Sequence, residues 1–226
     1  MKVVVLGATG MLGQGVVREC LADDGIDAVV SLGRGPSGVD HPKFTEILHP
    51  NLADELLDPA AIEAEIAGAD ALFFCLGVSS ARMREADYRR VTYDLTLSVA
   101  TAMATANPGS TFVYISGEGA DSTERGRVMW ARVRGATENA LLALPGLTAY
   151  ILRPAFIQPR NGATSRVTLY RWMYRIAAPL YPVIKAVIPK YATTTEHIGR
   201  AMIALARTGG TERILRSRDL NALAEQ

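Results

Sequence analysis

A run of glycines close to the amino terminus has the spacing of a phosphate-binding loop. The segment Gly7-Ala8-Thr9-Gly10-Met11-Leu12-Gly13 directly follows a short apolar strand and opens an amphipathic helix. Gly7 allows a tight turn, Gly10 removes a side chain where backbone would approach a pyrophosphate, and Gly13 lets helix and strand pack closely. Because the first N–H groups of a helix can bind an anion, we predict a dinucleotide site formed by Gly7, Thr9, Gly10, Met11, Leu12 and Gly13. A purely structural turn is the alternative.

The end of the second predicted strand bears on the choice between NAD(H) and NADP(H). In dinucleotide sites an acidic residue near this position binds the adenosine ribose, whereas an arginine favours a 2′-phosphate. Here the strand ends in Ser31-Leu32-Gly33-Arg34-Gly35, which contains no carboxylate. The planar guanidinium of Arg34, with the hydroxyl groups of Ser31 and Ser37 as further donors, therefore predicts NADP(H) rather than NAD(H). An exposed arginine in a glycine-rich turn is the alternative interpretation.

The elements that must position these residues alternate in the order of a doubly wound α/β fold. Runs rich in Val, Ile and Leu predict strands at 2–6, 27–32, 43–48, 70–76, 111–116, 147–152 and 211–215. Apolar residues at helical spacing predict helices at 11–22, 84–106, 126–144 and 196–207. The series predicts a single Rossmann-like domain over 1–226 with a parallel sheet, and ligands at the carboxyl ends of its strands.

Composition and charge exclude several other classes of protein. The chain has 226 residues, of which 49% are hydrophobic and 21% charged, and this balance excludes disorder and fibrous repeats. A formal net charge of +1 gives the chain no overall positive electrostatic potential that would attract a nucleic acid. Cys20 and Cys75 lie in apolar runs and the histidines are scattered, so we predict reduced thiols, no metal site and a cytoplasmic protein.

Four segments together resemble a known family. They are residues 7–13, the strand end Phe73-Phe74-Cys75-Leu76-Gly77, the strand end Tyr114-Ile115-Ser116, and Leu152-Arg153-Pro154. Over residues 1–158 the chain is similar to the atypical short-chain dehydrogenase/reductase group, within the NAD(P)-binding epimerase/dehydratase-like superfamily. The resemblance implies that Asn51, where the group usually has an aspartate, lies with Leu52 near the adenine. It also implies that the ribose and nicotinamide end is lined by Cys75, Leu76 and Gly77, and it adds Pro154 to the cofactor-binding set.

The same resemblance indicates where catalytic residues are expected. Carbonyl-reducing members of the group carry a serine at the end of the fifth strand and a Tyr-x-x-x-Lys pair on the next helix. Ser116 matches the serine, but Trp130 and Arg134 occupy the positions of the pair. The indole does not titrate and arginine keeps its proton, so the usual proton relay is absent. Arg134 could still bind the nicotinamide ribose, Trp130 could stack over a substrate or fill the mouth of the site, and Ser116 could simply cap the next turn.

Other groups could supply the missing proton. Tyr88, Tyr93 and Glu118 are near predicted strand ends or helix starts, and His197 is more distant. A literal Tyr-x-x-x-Lys occurs at Tyr181-Pro182-Val183-Ile184-Lys185, but in a proline-rich segment where the group's catalytic helix is not expected. We therefore interpret that second match as coincidental.

The last third of the chain differs in composition from the preceding strands and helices. We interpret residues 155–195 as a lid or elaboration on the substrate side of the domain. Within it, residues 168–191 are basic and amphipathic and are interrupted by Pro179 and Pro182. A lid over the substrate, an oligomer contact and a helix on a membrane surface are the three interpretations, and the prolines favour a kinked lid.

Two functions fit these observations. One is an NADP(H)-dependent oxidoreductase, or an epimerase-like enzyme, that acts on a small organic substrate through a non-standard proton donor. The other is a non-catalytic NADP(H) sensor or interaction protein, in which Trp130 and Arg134 mark lost chemistry. A fold prediction does not distinguish the two.

Overall fold

The computed structural model describes residues 1–160 and 192–225, and in these residues a parallel sheet forms the centre of the protein. Its strands, in spatial order, are β3 (Phe44–Leu48), β2 (Ala28–Gly33), β1 (Lys2–Leu6), β4 (Ala71–Phe74), β5 (Ser110–Ile115), β6 (Leu147–Arg153) and β9 (Ile214–Arg216). A separate parallel pair is formed by β7 (Phe156–Gln158) and β8 (Ala192–Thr194). The strand order reverses between β1 and β4, so the carboxyl ends of these two strands border the crevice where such folds bind ligands.

Helices cover both faces of the sheet. In the described part of the chain they are α1 (Met11–Ala22), α2 (Leu52–Glu55), α3 (Pro59–Ile66), α4 (Glu85–Arg89), α5 (Leu95–Ala106), α6 (Met129–Ala143), α7 (Thr195–Thr208) and α8 (Ser217–Ala224). A π-helical segment, Arg90–Asp94, joins α4 to α5. None of the helices described is both long and apolar enough to cross a membrane.

Alternate residues of each strand enter opposite cores, and β1 illustrates this. Val3 and Val5 pack into the core that includes α1 and α7, whereas Val4 and Leu6 pack into the core that includes α3 and α5. All four side chains are at most 1% exposed. A sheet that is covered on both faces requires apolar residues at successive positions, which is why its strands are continuous apolar runs.

Two glycines bring α7 close to α1, the helix that follows the glycine loop. A Cβ added at Gly15 would lie 2.7 Å from the Cβ of Thr195, and one added at Gly199 would lie 2.8 Å from the Cγ of Glu19. The Glu19 carboxylate also accepts a hydrogen bond of 3.0 Å from Arg200. The carboxyl-terminal part of the chain therefore supports the helix that begins at the glycine loop.

The predicted Rossmann-like fold is confirmed. The bounds of α1 agree with the sequence pattern, and the helix predicted at 84–106 is present with the π-helical segment inside it. The pattern does not predict α2, α3 or α8, because four to eight residues give too few turns for a period to show. The segment 168–191 and the match at Tyr181-Pro182-Val183-Ile184-Lys185 fall within 161–191, outside the described residues. Of the elaboration predicted at 155–195, the described parts are 155–160 and 192–195.

Candidate functional site

The glycine loop between β1 and α1 is tightly packed against its surroundings. Gly7 has a φ of +88°, and a Cβ there would lie 2.8 Å from the carbonyl carbon of Cys75 at the end of β4. The N–H of Gly10 donates to the carbonyl oxygen of Gly7 at 2.9 Å. A Cβ at Gly13 would lie 2.0 Å from that same oxygen. Gly7 and Gly13 therefore have no room for a side chain, as the predicted loop requires.

The amino end of α1 is open to an anion. Gly10 is its N-cap residue and supplies no side-chain cap, and the first turn contains no acidic residue. The first N–H groups of a helix have no partner within the helix, and the helix dipole favours a negative charge beside them. Met11 and Leu12 form this first turn, and the carbonyl of Thr9 accepts from the Gln14 side-chain amide at 3.0 Å. The predicted loop residues thus fit a pyrophosphate group.

The adenosine end predicted from the sequence lies at the ends of β2 and β3. Arg34 is exposed immediately after β2. Glu46 of β3 accepts from the Ser37 N–H through both carboxylate oxygens, at 3.0 and 3.1 Å, which holds the loop that follows Arg34. Asn51 is exposed at the start of α2, whereas Leu52 is 4% exposed and packs in the core. The side chains free to contact a ligand here are therefore polar.

A groove of about 310 Å³ opens beyond the carboxyl ends of β4, β5 and β6. Residues predicted separately from the sequence meet in it, because consecutive parallel strands end at the same edge of the sheet. Its lining includes Tyr88, Ser116, Glu118, Trp130, Arg134 and Pro154. Polar groups and a large aromatic ring thus meet in one open groove at this edge of the sheet.

A buried charge network lies directly behind Ser116. The Ser116 hydroxyl donates to the Glu138 carboxylate, which is 0% exposed and also pairs with Arg153 through both of its oxygens. The Arg153 Nε lies 3.1 and 3.0 Å from the two Glu138 oxygens, and its Nη2 donates to the Ser122 hydroxyl at 2.6 Å. The network joins the ends of β5 and β6 to α6 and fixes the direction of the Ser116 hydroxyl.

Arg134 forms a second set of contacts at the groove. Its Nε donates to the Tyr88 hydroxyl oxygen at 3.2 Å, and its Nη1 donates to the Ile115 carbonyl at 3.3 Å. Burial alone would lower the pKa of Arg134, but the phenols of Tyr114 and Tyr88 and the Glu138 carboxylate raise it above its ordinary value. The guanidinium therefore remains charged, and it holds the side chain of Tyr88 from α4 against α6.

Trp130 lies over the loop between β5 and α6. Gly119 in this loop has a φ of +89°, and a Cβ there would lie 3.3 Å from the indole ring. The loop also approaches α6 closely, because a Cβ at Gly135 would lie 1.8 Å from the Asp121 carbonyl oxygen. Hydrogen bonds from Thr123 and the backbone N–H of Gly126 lower the pKa of the Asp121 carboxyl, so this turn is held by a charged acceptor. The indole forms one wall of the groove.

The structure brings Ser116, Trp130, Arg134 and Pro154 together, and a Cβ on Gly77 would lie 4.0 Å from Arg134. Of the alternative donors, Tyr88 and Glu118 also line the groove. Tyr93 instead lies beneath the Arg89 guanidinium, 4.0 Å from ring centroid to Cζ, and the His197 Nδ1 lies 2.9 Å from the Asn221 side-chain oxygen.

The sequence did not reveal Glu138, whose carboxylate accepts hydrogen bonds from both Ser116 and Arg153. The usable signal was a carboxylate four residues after Arg134 on the same helix, together with an arginine at the buried end of a strand. Charged residues in such positions require partners, and here they are partners of each other.

Comparison with known proteins agrees with this geometry. A family model described as NAD(P)H-binding matches residues 7–171. A curated fungal relative, "Protein FMP52, mitochondrial" of Chaetomium globosum, is 28% identical over 158 residues, which cover 68% of this chain and 65% of that protein. The chain therefore spans slightly less than two thirds of the length of this relative.

Solved structures with bound dinucleotide have a similar fold. The Bordetella bronchiseptica enzyme WbmF in complex with NAD+ gives a TM-score of 0.69 at 15% identity, covering 99% of this chain and 76% of that one. DesIV, a dTDP-glucose 4,6-dehydratase from Streptomyces venezuelae with NAD and TYD bound, gives a TM-score of 0.68 at 16% identity, covering 99% and 80%. These likenesses concern the fold. The family model confirms the NAD(P)-binding family that the sequence resemblance implied. Because the family model covers well over half of its residues, this chain belongs to the NAD(P)H-binding family.

Proposed function

We propose that this protein binds NADP(H) and acts as an oxidoreductase, or in an epimerase-like reaction, on a small organic substrate held in the groove. One observation carries the proposal. The amino end of α1 has neither a side-chain cap nor an acidic residue, and the polar groove lies at the same edge of the sheet. An anion-binding end next to a polar groove suits a cofactor and a substrate that must meet.

The loop residues 7–13 would hold the pyrophosphate, and Cys75, Leu76, Gly77 and Arg134 would face the nicotinamide end. When bound, the nicotinamide supplies or accepts a hydride. Exposed Arg34 offers a planar pair of donors for a 2′-phosphate, which supports NADP(H), although the solved structures compared above contain NAD.

Calorimetric titration with NADPH and NADH tests the cofactor proposal. We expect wild type to bind NADPH more tightly than NADH, and Arg34→Ala to weaken NADPH binding by about 10- to 100-fold, since charge-assisted hydrogen bonds contribute about 1.5–3 kcal/mol. NADH binding should be unchanged. Arg218→Ala removes another exposed arginine, on α8, and is the matched control. Equal NADPH affinity in wild type and Arg34→Ala would refute the role of Arg34, and absence of binding by both nucleotides would refute the function.

Turnover is tested by following the nicotinamide absorbance with panels of aldehydes, ketones and quinones, and with alcohols in the reverse direction. The double variant Trp130→Tyr/Arg134→Lys introduces the pair that the resemblance to the short-chain dehydrogenase/reductase group implies at these positions. We expect it to gain turnover on a substrate that wild type converts slowly, because a titrating phenol then stands beside an ammonium group. A matched Trp130→Phe/Arg134→Lys variant lacks the phenol and should show no gain.

A second candidate is a non-catalytic NADP(H) sensor. It is favoured by the fact that the Ser116 hydrogen is directed to Glu138 and that Trp130 has no titrating group. In that case NADPH binds, but no member of either panel changes the absorbance and Trp130→Tyr/Arg134→Lys remains inactive. Turnover by wild type would exclude the sensor.

The cytoplasm is our proposed location. Both described cysteines are free thiols, as expected in a reducing compartment, whereas the fungal relative carries a mitochondrial name. Cell fractionation with an untagged protein tests this proposal, and recovery in an organelle pellet would contradict it.

A further inference from the structure

The guanidinium of Arg134 keeps unused hydrogen-bond donors at the groove. Its Nε donates to the Tyr88 hydroxyl oxygen at 3.2 Å, and its Nη1 donates to the Ile115 carbonyl at 3.3 Å. Nη2 also carries hydrogens, and it has no acceptor among residues 1–160 and 192–225. A Cβ added to Gly77 would lie 4.0 Å from Nη2. The unused nitrogen therefore lies beside Gly77, the residue expected at the nicotinamide end.

The positive charge of Arg134 is not balanced in the part of the chain that the structure describes. No carboxylate there forms an ion pair with its guanidinium. Glu138 follows one turn later on α6, but its carboxylate is already paired with Arg153. Glu118, the acidic residue of the groove lining, pairs with Arg216 at 2.9 Å. Each of these pairs is neutral, so the charge of Arg134 is left over in the groove.

A leftover charge of this kind is suited to an anionic ligand. Arg134 is half-buried, and a charge partly removed from water is unfavourable without a partner. Trp130, one turn earlier on α6, cannot supply an anion because the indole does not ionise. A nucleotide cofactor would not supply it either, since its pyrophosphate is expected at the glycine loop, its ribose hydroxyls are neutral and the nicotinamide of NADP+ is cationic. The anion must then belong to the substrate.

The chemistry of the guanidinium indicates which anion fits. We propose that the groove binds a substrate carrying a carboxylate, which accepts hydrogen bonds from Nη2 of Arg134. A single unbalanced positive charge matches a carboxylate better than a phosphate, which is nearly a dianion at neutral pH, and the planar donors suit a planar acceptor. The proposal deepens the proposed function and rests on it, since it takes this groove to be the substrate site.

The rest of the groove indicates what the carboxylate is attached to. Val78, Trp130 and Pro154 supply apolar surface around Arg134, and about 310 Å³ accommodates a compact molecule. An aromatic ring on the ligand can contact the indole of Trp130. The inferred substrate class is therefore a small monocarboxylic acid with an apolar body.

A matched pair of fluorinated probes tests the inference through binding alone. The probes are 4-fluorobenzoate and 4-fluorobenzamide, which share a ring and have nearly the same shape, but only the benzoate is charged. Fluorine NMR titration at neutral pH measures both dissociation constants with and without NADP+. We expect wild type to bind the benzoate at least about tenfold more tightly, because a hydrogen bond between two charged groups is stronger than one with a neutral acceptor. Equal affinities, tighter binding of the amide, or no binding of either probe would overturn the inference.

Three variants assign the preference to one side chain. Arg134→Gln removes the charge and should bring the two affinities within about twofold. Arg134→Lys keeps a charge but loses the planar donors, so it should retain a smaller preference. Arg132→Gln is the matched control and should leave the preference intact, because Arg132 lies on the same helix, pairs with Glu85 at 2.7 Å and does not line the groove. An equal loss in Arg132→Gln and Arg134→Gln would assign the preference to general surface charge and refute the proposal.

A preference for the benzoate that persists in folded Arg134→Gln would also refute it. Where circular dichroism shows that Arg134→Gln does not fold, NMR of wild type with isotope-labelled arginine provides the test. The benzoate, but not the amide, should shift the side-chain resonance of one arginine, and that resonance should be missing from Arg134→Lys. Benzoate binding that leaves this resonance unmoved would contradict the proposed contact.

Calorimetry with NADPH on the same samples separates the two proposals. A preference for the benzoate without nucleotide binding would overturn the proposed function and leave the carboxylate site standing. Nucleotide binding without a preference for the benzoate would do the reverse.

Discussion

Replacing Glu138 with glutamine tests the buried charge network most directly. Glu138 is fully buried and Arg153 is 8% exposed. Glutamine keeps the size and shape of the side chain, but it leaves the Arg153 guanidinium without its compensating charge. Removing one partner of a buried ion pair costs about 3–5 kcal/mol. At roughly 2–4 °C per kcal/mol for a chain of this size, we expect the Tm of Glu138→Gln to fall by roughly 6–20 °C.

Thermal and urea unfolding followed by circular dichroism measure the loss. Asp87→Asn is the control, because it breaks an exposed ion pair with Arg84, and it should cost far less stability than Glu138→Gln. The double variant Glu138→Met/Arg153→Met should recover most of the stability, since neither charge is then left alone. A Glu138→Gln protein as stable as Asp87→Asn, or a double variant that loses the sum of the single losses, would refute the described pairing.

Three further predictions follow from local geometry and burial. Gly13→Ala should lower the Tm and abolish NADPH binding, because the added Cβ would lie 2.0 Å from the Gly7 carbonyl oxygen. A Cβ at Gly35 would meet open space, so Gly35→Ala should keep both the Tm and NADPH binding. Scanning fluorimetry with and without NADPH measures both effects. Burial raises the pKa of Tyr114 to about 12, so the unfolded chain, with a phenol near 10.0, loses this proton first. The free energy of unfolding should therefore fall by about 2 kcal/mol between pH 10 and 12, and a Tyr114→Phe protein with the same alkaline loss in urea titrations would contradict this. Burial likewise raises the pKa of the Cys75 thiol from 9.0 to about 12. Because the thiolate is the reactive form, iodoacetamide at pH 8 should alkylate Cys75 about a thousandfold more slowly in the folded protein than in the protein unfolded in urea, as measured by mass spectrometry. Equal rates in the two states would show that the thiolate is accessible in the folded protein.

The parts of the fold that could be predicted from the sequence are those that depend on local pattern. The glycine loop can be recognised in the sequence because three local requirements fall within seven positions. They are a tight turn, a close approach of the backbone to a ligand, and the start of a helix, and each requires a particular residue. The doubly wound parallel sheet follows from the alternation of apolar strands with helices and from right-handed crossovers. The π-helical segment at Arg90–Asp94 has no such signature, because the apolar spacing continues through it.

The candidate site likewise contains residues that could be predicted from the sequence and contacts that could not. Ser116, Trp130 and Arg134 could be located because the family resemblance implies a serine at the end of the fifth strand and a residue pair on the next helix. Their hydrogen-bond partners could not, since the Ser116–Glu138 contact joins a strand end to a helix position 22 residues later, and Arg134 meets Tyr88 from 46 residues earlier. Such contacts depend on how whole elements pack, which periodicity does not encode.

The contact between α1 and α7 has a consequence for synthesis on the ribosome. Arg200 and its partner Glu19 are 181 positions apart, so one side of α1 lacks its cover until those further residues have been made. At about 5–20 residues per second, that interval lasts roughly 10–40 s. During it the nascent chain exposes the surface around Gly15 and Val16, and the first helix gains its permanent neighbour only after α7 has left the ribosome.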